Sequence, residues 1–470
     1  MKVAFRTDAS AVIGTGHVMR CLALAQELSS RGVRIEFVSS ELPAQLSSLI
    51  TDAGYALAGN VPTCDWLVVD HYALGAEWER EQRERAAKIM AIDDLAGRAH
   101  DCDLLLDQNV LAADNPYRGS VPAGTRVCLG PRYALLRRAF AAERRRAPAR
   151  TGALRRVFVC FGGSDPRNHT SAALDALRPR AAQLEAVEVV IGAASPHAEN
   201  VAARCRSLPN AILHHGTDEM PAMLARADLA IGAGGTMTWE RACMGVPTIA
   251  FGVAENQIPV LEGLLRAEYA WGDSSMPEPD VERIASWIDR ALHSAPQMRG
   301  MAARAAELVD GQGARRIAEA LLSEPIRFRL ATLQDAADIL RWRNDPRVRS
   351  GSHDSREIDS QAHLAWMQRV LADPSRILLV AQSGGQPVGV VRFDLRDTTA
   401  TISAYRTPDA SDASRGLIRA ATAWLRRHRP DIREVRAEIL ADNAASLAAF
   451  RKAGYTGAKG VLRYDMTKGE

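Results

Sequence analysis

The feature that most constrains the fold is a short apolar strand that runs into a glycine-rich turn and then into a helix. It occurs first at residues 3–5, followed by Ile-Gly-Thr-Gly-His-Val-Met-Arg at 13–20 and a helical run at 21–28. Glycines let the backbone turn tightly and approach a ligand closely. The start of the helix offers free N–H groups and the positive end of the dipole to an anion. His17 is therefore expected where a phosphorylated or nucleotide-linked substrate would bind.

A positive helix end disfavours imidazolium, so His17 is expected to be neutral near pH 7 and able to accept a proton. The alternative is a histidine that only caps or packs at a helix start. A bare Gly-x-Gly occurs in many folds, but Gly-x-Gly-His-x-x-Arg at a first strand–helix turn is more specific. This spacing favours the functional interpretation of His17.

Strand and helix patterns alternate up to about residue 320. Short apolar runs separated by helices predict α/β domains with parallel sheets covered on both faces, and ligands at the carboxyl ends of the strands. An Arg/Ala/Pro-rich segment at 141–153 interrupts the alternation, so Rossmann-like domains are expected at 1–150 and 151–325, with a helix at 300–323. The strand candidates are 3–5, 34–38, 66–70, 88–92, 104–106, 156–160, 186–191, 211–214, 229–231 and 248–250.

From residue 326 the pattern changes to a mixed α+β domain of residues 326–470. A strand at 326–330 precedes helices at 333–343 and 358–371. Strands at 377–382, 387–394 and 399–405 follow, with Gly384-Gly385 as a hairpin turn. A helix, strand, helix and strand complete the domain, at 415–428, 435–439, 443–453 and 460–466.

Composition narrows the function classes. The formal net charge of +3 over 470 residues is too small to argue for a nucleic-acid partner, and no run of about 18 apolar residues predicts a membrane span. Seven scattered cysteines without a Cys-x-x-Cys pair indicate neither a disulfide framework nor a zinc site. A reduced cytoplasmic location fits this composition, and the oligomeric state is left open.

Two glycine turns in the second half point to a nucleotide. The segment 161–166 is equally well explained as a capped helix start or as a turn beside a diphosphate. In the segment 232–240, the N–H groups of Gly235 and Thr236 can cradle a phosphate, and Glu240 can accept from a ribose diol. After the next predicted strand, at 248–250, carboxylate and amide side chains follow at 255–257. The candidate nucleotide-binding residues are Gly163, Ser164, Gly235, Thr236, Glu240, Glu255, Asn256 and Gln257.

The first 320 residues resemble a known family, the UDP-sugar hydrolases of pseudaminic acid synthesis, and more broadly the GT-B glycosyltransferases. The resemblance is carried by Arg6-x-Asp8, Gly14-x-Gly16-His17-x-x-Arg20, Asp70-His71-Tyr72, Ile92-Asp93-Asp94 and Asp107-Gln108-Asn109. It implies a GT-B-like pair of Rossmann-like domains. It also implies that water cleaves UDP from UDP-2,4-diacetamido-2,4,6-trideoxy-β-L-altropyranose with inversion.

The resemblance further implies that His17 is the general base and that the hydrolysis requires no cofactor and no metal. Asp93-Asp94 could instead be a metal-binding pair. The positive ends of helices can, however, stabilise the phosphate charge without a metal. The residues expected to bind the small-molecule UDP-sugar are Asp8, Gly14, Gly16, Arg20, Asp70, Tyr72, Asp94 and Asn109.

Residues 326–470 resemble GNAT-type N-acetyltransferases. The resemblance rests on Trp342-Arg343-Asn344-Asp345-x-x-Val348-Arg349, His363-x-x-Trp366 and Asn443-x-x-Ser446-x-x-x-Phe450-x-Lys452-x-Gly454-Tyr455. It implies acetyl-CoA as a substrate, with Arg415, Gly416, Asn443 and Lys452 as binding residues, and acetylation of the 4-amino UDP-sugar precursor. The pyrophosphate loop departs from the family pattern at Ser411 and Ser414, Asp412 adds a negative charge, and Phe450 replaces the usual acid tyrosine. The domain is therefore either an altered acyltransferase or a structural remnant.

Two other functions remain open for the first 320 residues. A GT-B glycosyltransferase would pass the sugar to an acceptor rather than to water, and a binding protein would hold the nucleotide sugar without turnover. A hydrolase of a related nonulosonic acid pathway is a third alternative.

Overall fold

The computed structural model describes residues 1–10, 14–109, 115–163, 165–192, 195–324, 326–352, 354–410, 416–440, 442–458 and 460–467. The chain divides into two compact units, Met1–Ala320 and Leu321–Glu470. The predicted fold class is confirmed, because two parallel sheets covered by helices make up the first unit and a mixed sheet makes up the second.

The first sheet has the strand order β3-β2-β1-β4-β5-β6-β7, and every pairing in it is parallel. The order reverses between β1 and β4, and such a switch point is where α/β sheets bind ligands. Its strands are β1 (Lys2–Thr7), β2 (Arg34–Val38), β3 (Ala56–Ala58), β4 (Cys64–Asp70), β5 (Ala86–Ile92), β6 (Leu104–Asp107) and β7 (Arg126–Leu129). Its helices are α1 (Gly16–Ser29), α2 (Ala44–Asp52) and α3 (Ala76–Gln82), and the next helix, α4 (Arg138–Arg144), buries Phe140 in the core of the second sheet.

The second sheet repeats this topology in the order β10-β9-β8-β11-β12-β13, again all parallel. Its strands are β8 (Arg156–Cys160), β9 (Ala186–Ile191), β10 (Ala211–His215), β11 (Leu229–Ala233), β12 (Thr248–Phe251) and β13 (Trp271–Asp273). Its helices are α5 (His169–Leu177), α6 (Ala198–Arg206), α7 (Met220–Arg226), α8 (Met237–Cys243), α9 (Ile258–Arg266), α10 (Val281–Leu292), α11 (Ala295–Leu308) and α12 (Gly313–Leu322).

The single helix predicted at 300–323 is two helices, α11 and α12. The first helix ends at Leu308 because Val309 is extended, and Gly311, with a φ of +75° in the left-handed region, forms part of the turn before the second helix begins.

The second unit is built on a sheet of order β14-β15-β16-β17-β18-β20-β19. Its pairings are antiparallel except that of β17 with β18. Its strands are β14 (Arg327–Leu330), β15 (Arg376–Ser383), β16 (Gln386–Arg396), β17 (Thr399–Arg406), β18 (Glu434–Glu438), β19 (Thr456–Ala458) and β20 (Val461–Asp465). Its helices are α13 (Ala336–Asn344), α14 (Pro346–Arg349), α15 (Ser360–Ala372), α16 (Leu417–His428) and α17 (Ala444–Lys452).

Each sheet has its own apolar core. In the first two sheets the central strands carry fully buried side chains, including Phe5, Leu67, Val157 and Ile231, because helices cover both faces. Burying apolar surface of this kind contributes about 25 cal/mol per Å² and is the main term that holds the strand ends in place.

Candidate functional site

His17 lies in the first turn of α1, immediately after the loop that follows β1, and only 6% of its surface is exposed. Gly14 has a φ of +81°, so the approach to the helix uses a backbone conformation that favours glycine. Thr15 occupies the N-cap position without a side-chain hydrogen bond to the helix. The first turn therefore keeps uncapped N–H groups beside His17.

Asp70, the last residue of β4, contacts the Nδ1 atom of His17. Asp70 Oδ1 lies 2.5 Å from His17 Nδ1, and Arg20 donates to both carboxylate oxygens at 2.6 Å. Burial alone would raise the pKa of Asp70, but the charges and hydrogen bonds of Arg20 and His17 hold it well below its usual range. The ionised carboxylate must accept from Nδ1–H, which leaves Nε2 of His17 as the proton acceptor.

Tyr72 packs edge-on against His17, with ring centroids 4.6 Å apart and ring planes at 90°. Its hydroxyl lies 3.4 Å from Asp94 Oδ2 and accepts from Asn256 Nδ2 at 3.1 Å. Burial, followed by the charge of Asp94, raises the pKa of Tyr72 to about 12. The phenol is therefore neutral and serves as a hydrogen-bond donor next to His17.

Asp94 completes the cluster at the carboxyl ends of the first sheet. It receives hydrogen bonds from Arg20 Nη1 at 2.8 Å and from Asn109 Nδ2 at 3.2 Å. Its side chain is 13% exposed, whereas that of Asp70 is fully buried, so Asp94 is the carboxylate that solvent or a ligand can reach. The predicted site residues that the structure brings together here are His17, Arg20, Asp70, Tyr72, Asp94 and Asn109.

Asp8 does not have the free oxygens expected of a sugar-binding carboxylate. Both of its oxygens pair with Arg6, and they also accept from Ser39 and Ser40 and from His71 Nε2 at 3.1 Å. Asp8 therefore fixes the loops after β1 and β2. Asp70 is likewise occupied by His17 and Arg20, so both carboxylates position other groups.

Asp93 and Asp94 point to different partners. Asp93 accepts from Arg98 Nη2 at 3.0 Å and lies near His100, whereas Asp94 pairs with Arg20. Within the described ranges, no group of three or more His, Cys, Asp or Glu side chains is arranged to hold a metal ion. The adjacent pair thus serves two separate ion-pair networks.

The glycine loop after β11 shows where the second sheet could meet an anion. Gly234 donates its N–H to Phe251 O at 2.9 Å, which ties the loop to β12. The N–H groups of Gly235 and Thr236 donate no hydrogen bond within the part of the chain that the structure describes. Two adjacent N–H groups are thus available to an oxyanion.

Glu240 lies in α8 behind this loop. Burial raises the pKa of Glu240 to about 7, although the charges of Arg137 and Arg241 oppose the shift. No described side chain or backbone group bonds its carboxyl oxygens, so the group keeps its capacity to accept from a ligand hydroxyl. Of the other nucleotide candidates, Glu255 is exposed and Gln257 accepts from Val253 N–H at 3.2 Å.

The segment after β1 lies in contact with the glycine loops after β8 and β11. A Cβ added at Gly16 would lie 2.6 Å from Thr236 Oγ1, and one added at Gly163 would lie 3.2 Å from Thr15 Cγ2. Gly16 and Gly163 therefore permit close approach of the two Rossmann-like domains beside His17. Ser164, also predicted to bind nucleotide, lies outside the described residues.

The predicted acetyl-CoA residues of the second unit have separate environments. Gly416 precedes α16 with a φ of +92°, and Arg415 lies outside the described residues. Asn443 caps α17 through its side-chain oxygen and donates Nδ2 to Gly351 O at 3.1 Å. Lys452 is exposed at the end of α17. The amide of Asn443 is thus already used within the domain.

Phe450, at the position expected for an acid tyrosine, is a core residue. It is 4% exposed and packs edge-on against Tyr455, with ring centroids 5.0 Å apart. The Tyr455 hydroxyl is buried and bonds to Thr422 Oγ1 at 2.8 Å. Burial raises the pKa of Tyr455 well above its usual range. Neither ring offers an exposed acidic hydroxyl.

Arg241 is the main residue that the sequence interpretation missed. It lies next to Glu240 in α8 and is 1% exposed, with its guanidinium under the glycine loop. A single arginine after a candidate ligand carries no local signal, since arginines are mostly surface residues.

Comparisons with known proteins find similarities in both units of the chain. Residues 326–456 match the family model "Acetyltransferase (GNAT) domain", and residues 182–258 match "Protein of unknown function (DUF354)". The chain is 33% identical over 179 residues to the UDP-2,4-diacetamido-2,4,6-trideoxy-beta-L-altropyranose hydrolase of Campylobacter jejuni. This match covers 36% of the chain and 62% of the hydrolase, which is less than two thirds of its length.

A second relative covers more of the chain. The spore coat polysaccharide biosynthesis protein SpsG of Bacillus subtilis is 27% identical over 336 residues, which is 67% of this chain and 96% of that protein. The structure of MurG from Acinetobacter baumannii, at 15% identity, covers 68% of this chain and 99% of that one with a TM-score of 0.47, too low to add to the topology.

None of the described helices is long and apolar enough to cross a membrane. The chain combines a region similar to a nucleotide-sugar hydrolase and to SpsG with a C-terminal region that matches the acetyltransferase (GNAT) domain model.

Proposed function

We propose that the first unit hydrolyses UDP-2,4-diacetamido-2,4,6-trideoxy-β-L-altropyranose, with His17 as the general base. The observation that carries the proposal is the contact of His17 Nδ1 with the buried carboxylate of Asp70. Asp70 accepts from Nδ1, so Nε2 is left to take a proton. The similarity to the Campylobacter hydrolase supports the choice of substrate.

In the proposed reaction, Nε2 of His17 removes a proton from water while the oxygen attacks the anomeric carbon. The bond between that carbon and the diphosphate oxygen breaks, and UDP leaves with the electron pair. Attack from the face opposite the leaving group gives inversion. Asp70 stabilises the imidazolium that forms, and the proton is then released to solvent.

The leaving diphosphate gains negative charge as the bond breaks. The free N–H groups of Gly235 and Thr236 can stabilise that charge, and their loop lies against Gly16, one residue before His17. Glu240 would accept from the ribose hydroxyls. Asp94, Asn109 and Tyr72 would contact the sugar.

The test measures UDP release from this substrate in ¹⁸O-labelled water, with the sugar followed by NMR and mass spectrometry. We expect a free inverted sugar that carries the label, with unlabelled UDP. His17→Ala should abolish release while keeping UDP binding. Full turnover by this variant would remove His17 as the base. Turnover only with an added acceptor would indicate a glycosyltransferase, and binding without turnover a binding protein.

For the second unit we propose acetylation of the 4-amino UDP-sugar precursor with acetyl-CoA. The GNAT match supports the reaction class. Gly416 at the start of α16 would lie at the CoA pyrophosphate, and the amine must lose its proton without help from Phe450. The full chain is incubated with acetyl-CoA and the amino sugar nucleotide. His17→Ala should accumulate the diacetamido nucleotide, whereas unchanged amino sugar would mark the domain as inactive.

A further inference from the structure

The guanidinium of Arg241 is buried, and within the described part of the chain it forms no ion pair. Among the described residues the buried arginines are Arg6, Arg20 and Arg241. Arg6 pairs with Asp8, and Arg20 pairs with Asp70 and Asp94.

Arg241 has neutral partners only. Its Nη2 donates to Ala233 O at 2.6 Å and to Thr238 Oγ1 at 2.9 Å. Its Nε and Nη1 are buried without a hydrogen-bond partner, and no carboxylate oxygen of the described residues lies within 4.0 Å of the guanidinium. Leaving a buried cation uncompensated is costly in free energy, and such groups are normally paired.

The fold makes room for this group. A Cβ added at Gly232 would lie 2.7 Å from Arg241 Nη1 and 2.0 Å from Cys160 O. A side chain at this point of β11 would therefore displace the guanidinium or β8. Burial lowers the pKa of Arg241 to about 10, so it remains a cation at neutral pH.

Cys160 and Glu240 are the described groups whose charge would stabilise the Arg241 cation, and neither carries a full negative charge near pH 7. Burial raises the pKa of the Cys160 thiol to about 11, so it is neutral. Glu240 has a pKa raised to about 7 and is only partly ionised there. Arg241 donates to the carbonyl of Ala233, the last residue of β11 before the glycine loop, while the N–H groups of Gly235 and Thr236 in that loop donate no hydrogen bond within the described residues.

We propose that Arg241 is a positioning residue for a nucleoside diphosphate, and that the charge of the bound diphosphate is the counterion its buried guanidinium lacks. The inference rests on the proposed nucleotide-sugar function and deepens it. Arg241 acts through the glycine loop and through its electric field, since its burial prevents direct contact with a ligand.

The test compares the affinities of the full chain for uridine, UMP and UDP by calorimetry. In Arg241→Met, UDP affinity should fall about 10-fold or more, while uridine affinity changes less than about 2-fold, because only the phosphates carry charge. Arg241→Lys, which keeps the cation, should retain most of the preference for UDP over uridine.

Arg144→Met is the matched control. Arg144 also donates to backbone carbonyls, those of Cys243, Val309 and Ala306, but it contacts the far end of α8. It should lower the melting temperature without changing the UDP-to-uridine ratio.

Equal losses for uridine and UDP in Arg241→Met would overturn the inference and leave the nucleotide function intact. If that variant does not fold, Arg241→Lys decides: a UDP-to-uridine ratio no higher than unity overturns the inference, and a ratio near that of wild type supports it. Absence of UDP binding by the wild-type chain would overturn the proposed function, and the inference with it.

Discussion

His17 Nδ1 lies 2.5 Å from Asp70 Oδ1, and the same carboxylate accepts hydrogen bonds from Arg20. The three residues come from the start of α1 and the end of β4, which the parallel pairing of β1 and β4 brings to one sheet edge. Asp70 adds orientation, because it fixes which ring nitrogen keeps the proton.

Asp70→Asn should lower kcat by about 100- to 10,000-fold, because the neutral amide no longer fixes the tautomer or stabilises imidazolium. UDP affinity should stay within a few-fold of wild type. Steady-state kinetics and UDP titration measure the two effects. The matched control is Asp94→Asn, which also removes a partner of Arg20 but does not contact His17. An equal loss of kcat in both variants would contradict the tautomer argument.

The contact between Tyr72 and Asn256 joins the two Rossmann-like domains and should be measurable as a coupling energy. Tyr72→Phe keeps the ring against His17 but removes the hydroxyl that Asn256 meets at 3.1 Å. In a double-mutant cycle on kcat/KM, Tyr72→Phe and Asn256→Ala should couple by about 0.5–1.5 kcal/mol. Strictly additive effects would show that the hydrogen bond does not form during turnover.

Gly14 and Gly16 are required for different reasons, so their alanine variants should respond differently to Thr236→Ala. Alanine at Gly14 meets nothing within 4 Å but is strained by its positive φ, at a cost of about 1 kcal/mol in unfolding free energy. Alanine at Gly16 collides with Thr236 Oγ1. Thr236→Ala should therefore rescue the kcat/KM of Gly16→Ala and leave Gly14→Ala unchanged. Rescue of both, or of neither, would contradict this assignment.

The raised pKa of Glu240 predicts that the unfolding free energy and the affinity for uridine change with pH in opposite directions. The folded protein, with a pKa of about 7 at this residue, holds a proton that the unfolded chain loses near 4.5. Between these values the folded state binds more protons, so unfolding free energy falls as pH rises, by on the order of 1–3 kcal/mol, with no further loss well above 7. Glu240→Gln should remove this slope in denaturant titrations.

Binding should change in the other direction, because the ionised carboxylate is the better acceptor for ribose hydroxyls. The affinity of the wild-type chain for uridine, which has no phosphate to titrate, should rise from pH 6 to pH 8. In Glu240→Gln it should be flat and weaker at pH 8. A parallel pH profile in the two proteins would exclude Glu240 from the ribose site.

The sequence determined the order and type of the elements wherever an apolar run signals burial on both faces. Every predicted strand of the first two sheets has a counterpart in the structure, and all of them except the edge strand β10 are central parallel strands, which are apolar along their length. The strands that were not predicted all lie at sheet edges, where one side faces solvent and the apolar run is lost. They are Ala56–Ala58, Arg126–Leu129, Trp271–Asp273 and Thr456–Ala458.

The sequence also indicated His17 and the free N–H groups of Gly235 and Thr236, because glycine turns at strand ends are local features. Only the tertiary structure decided which carboxylate serves which partner. Asp70 and Asp8 look alike as strand-end acids, yet each is occupied by cations and donors from other elements. Such pairings join residues far apart in the chain, and no local pattern encodes them.

The close approach of Gly16 to Thr236 and the burial of the Arg241 guanidinium were also decided only by the tertiary structure. The sequence marks Gly16 as a turn residue, but its clearance depends on a loop 220 residues away. In the sequence Arg241 looks like an ordinary helix arginine. Only the packing of β8, β11 and α8 buries it. Burial and distance between separate elements exist only after the chain has folded, so they decide the chemistry that the local sequence leaves open.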